Sequence, residues 1–160
     1  MTTDPALDAF VRARRVAVLS IARAGKPPLS TPIWYDWDGQ RFRMHVETTS
    51  AKARAIARLG AAPVSVVVQS EVPPYRYAVA YGTATVRDGA DPALRRAVAR
   101  RYFGRMAGDM YHAREAAGGR AHCTIEVVPE RFVTHDFGPE AGWFGRLWFA
   151  VWRWLHPVPA

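Results

Sequence analysis

The sequence predicts an α+β fold that is mainly β: six antiparallel strands curled into a closed or partly closed barrel, with short helices at its periphery. Three observations lead there. Alternating or wholly apolar runs recur along the chain at strand length. The dipeptide Asp38-Gly39 stands between two of them and marks a two-residue hairpin. Helical spacing occurs only in short stretches between the strands, where crossovers belong, and closing the sheet removes its exposed edges.

The elements follow in order. Thr3-Asp4-Pro5 starts a helix, with a capping oxygen and then a proline at the first helical position. The helix runs to about Arg14 and buries Leu7, Phe10 and Val11. From Val16 to Ile21 both faces are largely apolar, which predicts a central strand. Ala24 to Pro27 is a turn, and Leu29 to Trp37 is the second strand. The third strand, Arg41 to Glu47, sets Phe42, Met44 and Val46 against Arg41, Arg43, His45 and Glu47 on the other face. Thr48-Thr49-Ser50 then caps a helix whose inner side carries Ala53, Ile56 and Ala57 and which ends near Gly60. Val64 to Gln69 is a buried strand. A long strand follows from Tyr75 to Arg87, where Gly82 marks a bulge or a close approach. Asp91-Pro92 opens a helix carrying Leu94, Val98 and Tyr102, and Met106 to Ala117 is a second one. Two strands, Ala121 to Val128 and Phe132 to Phe137, flank Pro129-Glu130. Residues 1–140 thus form the barrel domain, and residues 141–160 form an aromatic tail that is helical from 141 to 156.

Composition narrows the class. A chain of 160 residues, 49% hydrophobic and 22% charged, builds one globular core and is not disordered. Its formal charge of +8 rests almost wholly on arginine, since Lys26 and Lys52 are the only lysines. The excess fits an anionic partner; the arginine-over-lysine bias also fits a GC-rich genome. Cys123 is alone, so no intrachain disulfide forms, and a reducing, cytoplasmic setting is expected. Met1 to Arg15 lacks the pattern of a secretory signal. No stretch reaches the ~18 apolar residues of a membrane-spanning helix.

The chemistry concentrates between Arg41 and Arg58. A strand with a polar face runs directly into Ser50-Ala51-Lys52-Ala53-Arg54 at a helix start. The first turn of a helix leaves N–H groups unpaired and carries partial positive charge. Ser50, Lys52 and Arg54 add a hydroxyl and two cations, which makes a phosphate cradle. An ordinary cap with solvated cations has the same sequence.

The ordered series Arg15 to Ser20, Ser30-Thr31-Pro32-Ile33-Trp34-Tyr35, Ser50-Ala51-Lys52-Ala53, Pro63 to Val66 and Tyr81-Gly82-Thr83-Ala84 resembles the pyridoxamine-phosphate oxidase-like split barrels. It is most similar to their flavin/deazaflavin oxidoreductase branch, and the likeness covers Val11 to Arg87. The resemblance implies a split barrel and a homodimer with the cofactor between subunits. It implies that Ser30, Thr31, Pro32, Ile33 and Trp34 line the ring of the cofactor, and that His45 and Val46 flank the ribityl chain or ring edge. Ser50, Ala51, Lys52 and Arg54 would hold the phosphate, and Tyr77 would make a polar contact. Relatives carry asparagine at the position of Ala55 and an Arg-Asp-Pro turn where this chain reads Arg58-Leu59-Gly60-Ala61-Ala62-Pro63, so the outer phosphate contacts differ. The implied activity is hydride transfer to or from a small organic substrate. The cofactor that the resemblance implies is F420, whose polyglutamate tail suits the arginine excess, with FMN as the alternative. Such a protein supplies orientation, a dry pocket and one proton donor. His45 and Tyr35 are the candidate catalytic donors, with Tyr77 a third; His45 has the most suitable ordinary pKa.

Other readings remain beside this one. A non-catalytic flavin or haem binder would draw on His45, His112, His122 and His135, whose spacings single out none of them. Nucleic-acid binding is not expected, because the aromatics lie in apolar runs and are not interleaved with arginines. The tail, Trp143 to Leu155, is a dimer contact, a lid over the cofactor or a weak membrane contact.

Overall fold

The computed structural model describes residues 4–89, 91–138 and 142–155. Helix α1 (Pro5–Arg12) begins at Asp4, whose carboxylate accepts the Leu7 N–H at 3.2 Å, and it buries Leu7, Phe10 and Val11. Thr3 lies outside the described residues.

The strands are β1 (Ala17–Ile21), β2 (Leu29–Ile33), β3 (Asp36–Trp37), β4 (Phe42–Glu47), β5 (Ala62–Gln69), β6 (Arg76–Asp88) and β7 (His122–Asp136). They form one antiparallel sheet of seven strands, in the order β2-β1-β5-β6-β7-β4-β3, and not the six expected. Strands β2 and β3 follow each other in the chain with only Trp34 and Tyr35 between them, yet they occupy opposite ends of this order. So short a link spans at most roughly 11 Å. The sheet must therefore curl until its two ends come close, and the result is a half-barrel.

Two strand expectations are corrected here. Leu29 to Trp37 is not one strand, because the chain leaves one edge of the sheet after Ile33 and joins the other at Asp36. Ala121–Val128 and Phe132–Phe137 are not two strands but parts of the single β7, paired with β6 along its length. The register shifts where Tyr81 faces Arg131 and Gly82 faces Pro129, so Glu130 is the extra residue of a bulge. A proline fits such a point, where the ladder is already interrupted. Gly82 is required opposite it: a Cβ there would lie 2.1 Å from the Val128 carbonyl oxygen.

Leu19, Ile21, Phe42, Met44, Val66, Val68, Ile125 and Val127 fill the interior of the half-barrel. Helix α2 (Ala51–Leu59) adds Ala53 and Ile56. Ala57, expected on its inner side, is exposed, and Ala55 packs against the core instead. Helices α3 (Pro92–Phe103) and α4 (Arg105–Ala117) form a hairpin through Gly104, whose φ of 79° favours glycine. Arg96 and Arg100 of α3 clasp Asp109 of α4 at 2.7–2.8 Å and hold its carboxyl well below the usual range. Helix α5 (Gly142–Leu155) ends the described chain. Residues 141 and 156, the expected helix ends, and the boundary at 140/141 lie outside the described residues.

Candidate functional site

The corner at which the chain leaves β2 brings Pro32, Ile33 and Trp34 beside the end of β4. His45, Val46 and Glu47 of β4 and Ser50 and Lys52 of α2 complete, with Val16, a groove of about 370 Å³. That volume is in the range of small-molecule sites. The site exists because a strand with alternating faces runs straight into a helix cap. Ser50 has extended backbone angles, and its hydroxyl oxygen accepts the Ala53 N–H at 3.4 Å. The N–H groups of Ala51 and Lys52 open the helix and have no carbonyl one turn earlier to bond. Lys52 makes no ion pair among the described residues, whereas Glu47 in the same groove is neutralised by Arg120. The phosphate-sized end of the groove is therefore electropositive.

The other end is aromatic. Trp34 stacks on Tyr102 with ring centres 5.0 Å apart and meets the edges of Phe103 and Tyr111. Tyr102 is fixed in turn: its hydroxyl donates to the Arg15 carbonyl at 2.6 Å and accepts the Tyr35 N–H at 3.3 Å. His45 stacks on His122 with ring centres 4.5 Å apart, and neither of its ring nitrogens has a hydrogen-bond partner. Burial, with His122 and Arg95 nearby, pushes its pKa down to about 4. His45 is thus a neutral imidazole near pH 7 and not the imidazolium acid that its ordinary pKa suggests. A smaller cavity of about 170 Å³, under α3 and α4, shares Trp34, His45, Val46 and Glu47 with the groove and adds Arg95, Tyr111, Glu115 and His122.

The remaining expected residues are placed elsewhere. Tyr35, next to Trp34, is fully buried in the core, donates its hydroxyl to the Val11 carbonyl at 2.7 Å, and has its pKa raised by burial to about 12. It is not a proton donor to the groove. Ser30 shares a 2.8 Å hydrogen bond with Ser20 on the outer surface, and the Thr31 hydroxyl turns to the Pro32 carbonyl. Ala51 and Arg54 line a second groove, of about 460 Å³, together with Arg23, Lys26 and Arg58. None of those four cations is in an ion pair among the described residues. Tyr77 lies on a third groove with Tyr75, Arg76 and Glu71, and stacks on His135. The four histidines considered for haem are not brought together. Only His45 and His122 meet, face to face, while His112 takes the Arg95 Nε–H at 3.1 Å.

Sequence reasoning missed Tyr111 and the Arg23–Lys26–Arg58 set, and it named His122 only as one of four histidines without placing it against His45. His122 sits beside His45 only through the β4–β7 register, in which His45 faces Thr124 and Glu47 faces His122. The basic set joins a turn to a helix more than twenty positions away.

Residues 3–136 match the family described as pyridoxamine 5'-phosphate oxidase. This chain belongs to that family. Solved structures of similar fold include a conserved hypothetical protein of Mycobacterium tuberculosis, at 19% identity and a TM-score of 0.65, with 85% of this chain and 86% of that one aligned. An F420 reductase aligns at 23% identity and a TM-score of 0.59, over 79% of this chain and 94% of the other. An FAD- and haem-binding protein from Mycobacterium smegmatis aligns at 22% identity and a TM-score of 0.59, over 85% and 72%. No curated protein matches the sequence. At these identities the structural likenesses establish the split-barrel fold of the pyridoxamine 5'-phosphate oxidase family and leave the activity open.

Proposed function

We propose that the chain is an oxidoreductase that binds a phosphorylated flavin-type cofactor, F420 in first place and FMN as the alternative, in the groove between Pro32 and Lys52. The observation that carries this reading is the pairing, in one groove, of an uncovered helix start bearing Ser50 and the unpaired Lys52 with an aromatic corner at Trp34. The first suits a phosphate and the second a flat ring. When bound, the cofactor supplies the hydride chemistry toward a small organic substrate. The chain's own part is to bind, orient and exclude water. Trp34, held by Tyr102, fixes one wall. His45, neutral and lacking partners, offers an N–H to a ring edge or a carbonyl oxygen, as a hydrogen-bond donor.

F420 is preferred for its tail. The second groove lies on the same helix as the phosphate end and gathers Arg23, Lys26, Arg54 and Arg58 without a carboxylate. An extended polyanion suits it, and FMN has none beyond the phosphate. An F420 reductase among the structural neighbours supports the same choice. The reading includes a homodimer with the cofactor between subunits, in which Tyr77, which lines a different groove of its own chain, would reach the cofactor of the partner. A cytoplasmic setting agrees with the buried, unpaired Cys123.

Titration of the parent chain and an Arg54→Ala/Arg58→Ala variant with F420 and with FMN tests the choice. F420 should bind the more tightly, and the double replacement should weaken F420 at least tenfold, about 1.4 kcal/mol, with little change for FMN. Tighter FMN binding, unaffected by the replacement, would move the reading to an FMN-dependent enzyme.

A further inference from the structure

Helix α5 carries no carboxylate, and its charges are the two arginines, Arg146 and Arg153. Its exposed large apolar residues are Trp143, Phe144, Leu147, Trp148, Val151, Trp154 and Leu155. At 100° per residue these seven fall on one continuous face about 140° wide. Positions 146 and 153, seven apart, fall on the opposite side. Trp143 and Trp154, at the two ends of the face, are 79% and 80% exposed. The four aromatics alone leave on the order of 600 Å² of ring surface in water, at or above the largest apolar patch of an ordinary monomer. A helix so built belongs against something.

We propose that α5 lies in the surface of an anionic lipid bilayer, its aromatic face in the headgroup and upper acyl region. Three features select this occupant. Tryptophan suits that zone because its ring is apolar while its indole N–H still finds a polar partner there. Two arginines in the helix sequence, no carboxylate in it, and a formal charge of +8 on the chain complement anionic headgroups. Fourteen residues make a rod of roughly 21 Å, too short for the ~30 Å hydrocarbon core, and no described helix is long and apolar enough to cross a membrane. The helix lies on the bilayer and does not span it. The consequence is that the barrel works beside a membrane, within reach of apolar substrates dissolved there.

The test is flotation of the full chain with vesicles of equal parts phosphatidylglycerol and phosphatidylcholine, and with vesicles of phosphatidylcholine alone. The variant is Trp148→Glu/Trp154→Glu, at two exposed positions, with its melting temperature measured to show that the barrel is intact. The parent should float with the anionic vesicles and less with the neutral ones, added salt should weaken it, and the variant should bind about tenfold less. A parent that stays in the aqueous fraction, or a variant that floats as well as the parent, overturns the proposal. So does equal binding to both lipids. Loss of a parent dimer in the variant by light scattering, without vesicle binding by the parent, would assign the face to a second copy and overturn it equally.

Discussion

At the scale of single residues, neighbours in sequence have opposite fates. Trp34 and Tyr35 are the two residues of the corner between β2 and β3; one reaches the groove and the other fills the core. As aromatics at the end of an apolar run they look alike in sequence, and only the path of the corner separates them. His45 was legible as a polar-face residue of its strand. Its stacking on His122 depends on the β4–β7 register, and its depressed pKa on burial with His122 and Arg95 nearby. That depression has a consequence for stability. With a folded-state pKa of about 4 against an ordinary 6.5, the unfolded chain takes up the proton first. The contribution to stability is full above about pH 6.5 and is lost as pH falls toward 4. His45→Phe keeps a ring against His122 and removes the titration. Its melting temperature should therefore fall less than the parent's across that window. An equal fall in both would mean that the His45 imidazole is protonated in the fold as readily as in the open chain.

At the scale of elements, the bulge between β6 and β7 is the clearest case of a local rule deciding long-range order. Gly82 was legible as a bulge or close approach. The continuity of β7 through Pro129 was not, because a proline inside an apolar run reads as an interruption unless its partner strand is known. Gly82→Ala drives a methyl group into the Val128 carbonyl. We expect it to cost about 2–3 kcal/mol, as overpacking does, read from urea unfolding. A loss below about 0.5 kcal/mol, the usual range for an exposed surface change, would mean that the strands pass each other with room to spare. Helix caps, by contrast, were readable one by one. Asp4, Ser50 and Asp91 each accept a backbone N–H three residues on, as their types and the following residues indicate.

At the scale of the whole molecule, alternation and turn residues made the class of fold legible, since each strand's inner face can be read by itself. The curl was expected from the need to close exposed edges, but the corner that makes it was not, because it rests on two residues joining the two ends of the sheet order. The site was legible where it is local. Pro32 to Trp34, His45, Val46, Ser50 and Lys52 line one groove and lie within a short stretch of chain. It was illegible where it depends on distant parts, as with the stacking of His122 on His45, Tyr111 and the basic groove. Arginine also divides at this scale. Many arginines are spent on internal ion pairs, such as Arg96 and Arg100 on Asp109 and Arg43 on Asp36, while Lys52 and the set around Arg54 and Arg58 remain open to an anion.

The most direct measurement of the central claim is the dissociation constant of the preferred cofactor for the parent, Lys52→Ala and Tyr35→Phe, each followed by tryptophan quenching and by equilibrium dialysis. If the groove holds the phosphate, Lys52→Ala should weaken binding ten- to a hundredfold, about 1.4–2.8 kcal/mol. Tyr35→Phe, which alters only the core, should leave binding within about twofold while lowering stability by about 1–2 kcal/mol. Unchanged affinity in Lys52→Ala, or no binding of F420 or FMN by the parent, would contradict the account.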